Sequence, residues 1–176
     1  MKDQIQCYLA SPWFNSQQMK VMNKVRDIIL AYENIKLFAP YYDGIVLDKE
    51  NDSLEMRQKV FDIDIGTIAY SDLVITIIDD FDPGSIFEMG AAGIICWMFD
   101  KGIIEKSFPG SRAGKVSNIP RIIAYSDVSG RGLNVMLQQS IWGFANGETE
   151  LRDQLGRFVT GVKAFDYLGF VHGDFV

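Results

Sequence analysis

Apolar residues recur along this chain in two alternating rhythms, short solid runs and helical stripes, and the alternation predicts its elements. Residues 5–10 form a compact apolar run suited to a buried strand, and residues 16–32 carry Met19, Met22, Val25, Ile28 and Ile29 at helical spacing. Residues 35–39 read as a second strand stopped by Pro40, and residues 41–52 as a polar loop. From Ser53 onward Leu54, Val60, Phe61, Ile65 and Ile68 repeat as one helix face. The Leu-Val-Ile-Thr-Ile-Ile run within residues 72–78 is the clearest central strand. An acidic turn at 79–84 leads into a helix over 85–99, whose Gly90, Ala91, Ala92 and Gly93 suit close packing on a sheet. Residues 101–118, rich in Gly, Ser and Lys, read as an exposed excursion. A fourth strand at 120–125, a helical turn at 133–139, a strand near 141–144, an amphipathic helix at 148–160 and an aromatic tail complete the pattern.

Strands alternating with helices predict an α/β fold: one doubly wound, mostly parallel five-stranded sheet flanked by helices, flavodoxin- or Rossmann-like. The 176 residues suffice for a single domain spanning 1–176 with one sizeable core. In such sheets the ligand crevice lies at the carboxyl ends of the strands. The segments 8–15, 41–44, 79–84 and 126–134 are expected to gather there.

Composition narrows the chemistry. A formal net charge of −6 argues against nucleic acid as a partner, since a duplex binder needs a basic face. The longest nearly uncharged apolar stretch, residues 90–99, is about half of the roughly 20 residues a membrane span needs, and the first residues lead into a strand rather than a signal peptide. The expectation is a cytoplasmic protein with no membrane partner. Two Cys and one His, with no Cys-x-x-Cys, His-x-x-x-His or Gly-x-Ser-x-Gly, leave little for a structural zinc site or a histidine-based triad. Acid and base groups are expected among carboxylates and tyrosines.

The carboxylates concentrate at one place. Asp79, Asp80, Asp82 and Glu88 lie within ten residues of the third strand's end, with Pro83 and Gly84 forcing a turn. One reading makes Glu88 a nucleophile in the first turn of a helix, kept ionised by the helix dipole. The other makes Ser85-Ile86-Phe87-Glu88 a capping box, with Asp82 a turn and cap residue. A magnesium site from Asp79, Asp80 and Asp82 is a third. Asp64 lies about 40° around its helix from Val60 and Ile68, on the margin of the inward face. It either pairs with Arg57 on the same face or carries a proton at a pKa raised by burial and by the charges of Glu88 and Asp82. After the first strand, Trp13 and Phe14 offer a stacking surface for a flat ligand, or serve as core or interface residues. Tyr8 is placed to hydrogen-bond Glu88. Gly-x-Gly-x-x-Gly and Gly-Lys-Ser are absent, which favours an uncharged sugar over a nucleotide phosphate.

Taken jointly, Tyr8-Leu9-Ala10-Ser11-Pro12-Trp13-Phe14-Asn15, Asp64, and Asp82-Pro83-Gly84-Ser85-Ile86-Phe87-Glu88-Met89-Gly90 resemble the nucleoside 2-deoxyribosyltransferase family. Leu133-Asn134-Val135-Met136 resembles that family's Asn-Leu-Met element, and the tail ending Gly173-Asp174-Phe175-Val176 its C-terminus. The excursion at 101–114 is longer than the family's pattern, and the tail near His172 aligns only with a gap. The resemblance implies transfer of 2-deoxyribose between purine and pyrimidine bases by double displacement, without metal or organic cofactor, in nucleoside salvage. Glu88 would be the nucleophile at C1′, Asp64 and Asp82 the acids that protonate and orient the base, and Tyr8 the residue that positions the nucleophile. Trp13, Phe14, Gly84, Asn134 and Met136 would contact substrate. The implied partners are deoxynucleosides and nucleobases, and the implied assembly is a homo-oligomer built on dimers, often a hexamer, with shared active sites. An N-glycoside hydrolase of deoxynucleosides or their 5′-monophosphates, and a non-catalytic nucleotide-binding module, are the alternatives.

Overall fold

A computed structural model describes residues 4–103 and 119–161. The aromatic tail with His172, and the expected excursion from residue 104 on, lie outside these residues. In chain order the elements are β1 (Ile5–Ala10), α1 (Ser16–Leu30), β2 (Ile35–Phe38), α2 (Pro40–Asp43), α3 (Leu54–Tyr70), β3 (Leu73–Ile77), α4 (Pro83–Asp100), β4 (Arg121–Ser126), α5 (Val135–Ser140), β5 (Gly143–Asn146) and α6 (Glu148–Thr160). The five strands form one sheet in the order β2-β1-β3-β4-β5. Every pairing is parallel, with Tyr8 opposite Phe38 on one side and Val74 on the other.

Strand side chains alternate between faces, so each strand feeds two cores. Cys7, Leu9, Ile75, Ile77, Ile123, Tyr125 and Ala145 join Met22, Val25, Ile29, Leu151 and Leu155 of α1 and α6 on one face. Tyr8, Ala10, Val74, Ile122 and Ala124 join Ile68, Met89 and Ala92 of α3 and α4 on the other. All five residues of β3 are buried, Thr76 with its four apolar neighbours, as the nearly continuous apolar run predicts. In α4, Ala92 and Gly93 are the small residues that reach the interior. A Cβ on Gly93 would stand 3.0 Å from the Ser140 Cβ, so the glycine permits the close approach of α5.

Three expectations are corrected. The loop at 41–52 opens with the short helix α2, which Pro40 starts and Asp43 ties back by accepting from the Ala39 amide at 2.8 Å. The inward face of α3 is shorter than its spacing suggests: Leu54 and Phe61 are exposed and only Ile68 is fully buried, while Phe61 turns its ring to Phe87 of α4 at 6.0 Å. The fourth helix begins at Pro83 rather than Ser85. Proline is preorganised for the first helical position, where its missing N–H costs nothing.

The strand order reverses between β1 and β3. That reversal opens a crevice at their carboxyl ends, where this topology takes its ligands. The loop after β1 and the turn from β3 into α4 both emerge there.

Candidate active site

Tyr8 is fully buried on β1, its ring stacked on Phe38 at 5.8 Å. Its hydroxyl donates to Glu88 Oε1 at 2.6 Å. A distance this short is that of a bond to a carboxylate. Burial and the neighbouring Glu88 and Asp64 charges push the Tyr8 phenol far above its ordinary range, so it stays a donor at any working pH.

Glu88 occupies the second turn of α4, not the first. Asp82 is the cap: its carboxylate accepts from the Ser85 amide at 2.8 Å and the Ser85 hydroxyl at 3.0 Å. The Ser85–Glu88 capping box is therefore not formed, and the helix dipole, which acts within the first turn, is not what sets the Glu88 charge. Burial raises the Glu88 pKa to about 7; the Tyr8 bond opposes that rise, and Asp64 and Asp82 add to it. Asp64, half-buried on α3, is raised to about 6 by burial. The expected pairing with Arg57 does not occur. Arg57 turns back to Asp52 before the helix, at 2.5 and 2.6 Å. The Asp64 charge instead adds to the rise at Glu88.

The other acids of the cluster separate. Asp79 accepts from the Ser126 hydroxyl at 2.5 Å and the Asp127 amide at 2.9 Å, tying the ends of β3 and β4. Asp80 accepts from the Gln18 side chain at 2.8 Å. With Asp82 capping α4, the three carboxylates considered for magnesium serve three different partners. No group of three His, Cys, Asp or Glu among the described residues could hold a metal ion.

Trp13 is half-buried, with its ring 6.1 Å from Tyr41 and 5.6 Å from Phe14. Phe14 is 72% exposed. Gln18 joins this loop to the acidic turn, accepting from the Phe14 amide at 2.8 Å while donating to Asp80. Nothing in the local sequence marks Gln18 for that role. Gly84 follows the cap, and a Cβ there would come within 3.1 Å of Asp82 Oδ2. Asn134 caps α5 by accepting from Leu137 N at 3.1 Å, and Met136 is 75% exposed. Among the described residues neither bonds to Tyr8, Asp64, Asp82 or Glu88.

The arrangement unites a positioned carboxylate of raised pKa and a second carboxyl able to carry a proton near neutrality. Perturbed carboxyls in a crevice are the mark of acid and nucleophile chemistry.

A family model described as nucleoside 2-deoxyribosyltransferase matches residues 7–104, which run from β1 through α4. Among solved structures, the chain is similar to the 2-deoxyribosyltransferase of the psychrotolerant bacterium Bacillus psychrosaccharolyticus, with 23% identity, 88% of this chain and 94% of that one covered, and a TM-score of 0.63. It is also similar to a conserved protein from Enterococcus faecalis V583, at 17% identity, 88% and 99% coverage and a TM-score of 0.60. A CMP N-glycosidase from Clostridium botulinum follows at 15% identity, 87% and 98% coverage and a TM-score of 0.48. No curated protein matches by sequence. No helix among the described residues is long and apolar enough to cross a membrane.

Proposed function

The chain belongs to the nucleoside 2-deoxyribosyltransferase family, and from that premise we propose that it moves 2-deoxyribose between purine and pyrimidine bases through a covalent deoxyribosyl-Glu88 intermediate. The observation that supports this most is the 2.6 Å bond from buried Tyr8 to Glu88. It fixes one carboxylate oxygen and leaves the other to attack.

In the first half-reaction a Glu88 oxygen bonds to C1′ as the C1′–N bond breaks, its electron pair leaving with the base. Asp64 supplies the proton that neutralises the departing base. Asp64 fits this role better than Asp82 because burial raises its pKa to about 6, whereas Asp82 is engaged with Ser85. In the second half-reaction the incoming base attacks C1′, the ester bond to Glu88 breaks, and the proton returns to Asp64. Two inversions restore the β-nucleoside, as in retaining glycoside hydrolysis. Trp13 and Phe14 flank the base, and Gly84 leaves room beside the helix cap. Asn134 and the exposed Met136 are assigned to the sugar of a neighbouring subunit's site, in a homo-oligomer with shared sites.

Incubation with deoxyinosine and adenine tests the reading. Formation of deoxyadenosine is expected; free deoxyribose as the sole product would make water the acceptor and the protein an N-glycoside hydrolase. Intact mass after incubation with a 2-fluoro-arabino nucleoside should show one sugar per chain, absent in Glu88→Gln. Tight nucleoside binding without turnover, equal in Glu88→Gln, would mark a binding module instead.

A further inference from the structure

Phe81 is the one non-glycine residue among those described with a positive φ, 48°. A left-handed backbone at a bulky residue is strained and persists only when its surroundings enforce it. The ring is not held by the core, since Phe81 is 48% exposed. What holds it comes from the loop between β4 and α5. The Arg131 guanidinium lies over the Phe81 ring at 4.7 Å, and Arg131 Nη1 donates to the Ile78 carbonyl at 2.6 Å. The same carbonyl accepts from the Phe81 amide at 3.3 Å. Arg131 thus grips the turn at both ends, by a charged bond at its start and a cation–π contact at its strained residue.

The loop that carries Arg131 is itself anchored. Asp79 accepts from the Asp127 amide at 2.9 Å, and the Ser126 hydroxyl accepts from the Val128 amide at 3.1 Å. With its amide oriented to satisfy both neighbours, Asn146 donates to the Val128 carbonyl at 2.9 Å and accepts from the Gly130 amide at 3.0 Å. The residue after Phe81 is Asp82, the cap of the helix that carries Glu88.

We infer that Arg131 is a positioning residue for the transfer reaction: it braces the Ile78–Asp82 turn against the β4–α5 loop and so fixes where α4 begins and where Glu88 points. The inference rests on the reading of Glu88 as nucleophile, but its anchoring half can be read without catalysis. Misplacement of a reacting group by about 1 Å can cost a hundredfold in rate, so a strut of this kind acts on kcat more than on substrate affinity.

Two variants, Arg131→Ala and Phe81→Leu, test it, each first checked for a native thermal transition. Hydrogen exchange at amides 81–88 should quicken by about tenfold or more in Arg131→Ala, with β-sheet amides unchanged, and less in Phe81→Leu. Trapping by the 2-fluoro-arabino nucleoside should slow by about tenfold to a hundredfold in Arg131→Ala yet still reach one sugar per chain, with the nucleoside KM little altered. Complete labelling separates misplacement from a misfolded fraction. Unchanged exchange at 81–88 in both variants would overturn the brace whatever the activity. Faster exchange with an unchanged trapping rate would overturn its role in positioning Glu88. A wild-type protein that neither traps sugar nor transfers it would defeat the proposed function, while the exchange result would still decide whether Arg131 anchors the turn.

Discussion

The hydroxyl of Tyr8 on β1 donates to the carboxylate of Glu88 on α4 at 2.6 Å, across 80 residues of sequence. A donor to a carboxylate stabilises the ionised form, and here it works against the burial that raises Glu88 to about 7. Tyr8→Phe should therefore raise the Glu88 pKa further and move the alkaline limb of kcat/KM, which reports the higher of the two values of the Glu88–Asp64 pair, to higher pH. It should also lower kcat by about tenfold to a hundredfold through loss of orientation. A pH–rate profile of the purified variant checks both effects, and an unshifted alkaline limb would contradict the assignment.

Under the proposed mechanism, transfer from a base that must leave protonated requires Glu88 ionised and Asp64 protonated. With apparent pKa values of about 7 and about 6, the pair holds one proton between those limits. The rate should be bell-shaped with its optimum near pH 6.5, falling on the acid side as the pair takes up a second proton and on the alkaline side as it loses the last.

Asp64→Asn should abolish the alkaline limb and slow departure most for bases that need a proton. The one limb that remains should then report Glu88 alone, at a value below about 7 because the Asp64 charge no longer raises it. Comparison of two donor nucleosides whose bases differ in basicity separates this from a general loss, which would reduce both alike.

Glu88→Gln should eliminate sugar trapping and stabilise the fold above neutrality. Glu88 moves from an ordinary 4.5 in the unfolded chain to about 7 in the folded one. Between those values the unfolded state binds fewer protons, so wild-type stability falls as pH rises, by a total of order 3 kcal/mol. The glutamine variant escapes this fall. Its advantage in denaturant titrations should be large at pH 8 and vanish near pH 4.

Asp82→Ala should cost about 1 kcal/mol of stability through loss of the α4 cap, whereas Asp82→Asn should preserve it, because asparagine caps equally well. Thermal melts of the pair separate the capping role from any contribution of its charge to catalysis.

Much of this was legible in the sequence. The solid runs gave β1 and β3 because central parallel strands are covered on both faces, and Tyr8 and Glu88 come together because those strands neighbour each other. What eluded it were choices decided in three dimensions. Pro83 suits either a turn or a first helical position, and only packing of α4 selected the second. Asp64 and Arg57 share a helix face, yet Asp52 lies in better reach of the guanidinium. Arg131 was silent because a left-handed phenylalanine has no sequence signature; only glycine advertises that conformation.

The Tyr8–Glu88 bond also bears on how the molecule comes into being. Contacts so distant along the chain form late, since closing a long loop loses entropy before the contact compensates. A nascent or partly refolded polypeptide can possess its helices and outer strands and still lack a competent carboxylate. If Glu88 is the nucleophile, recovered turnover would thus report closure of the sheet centre.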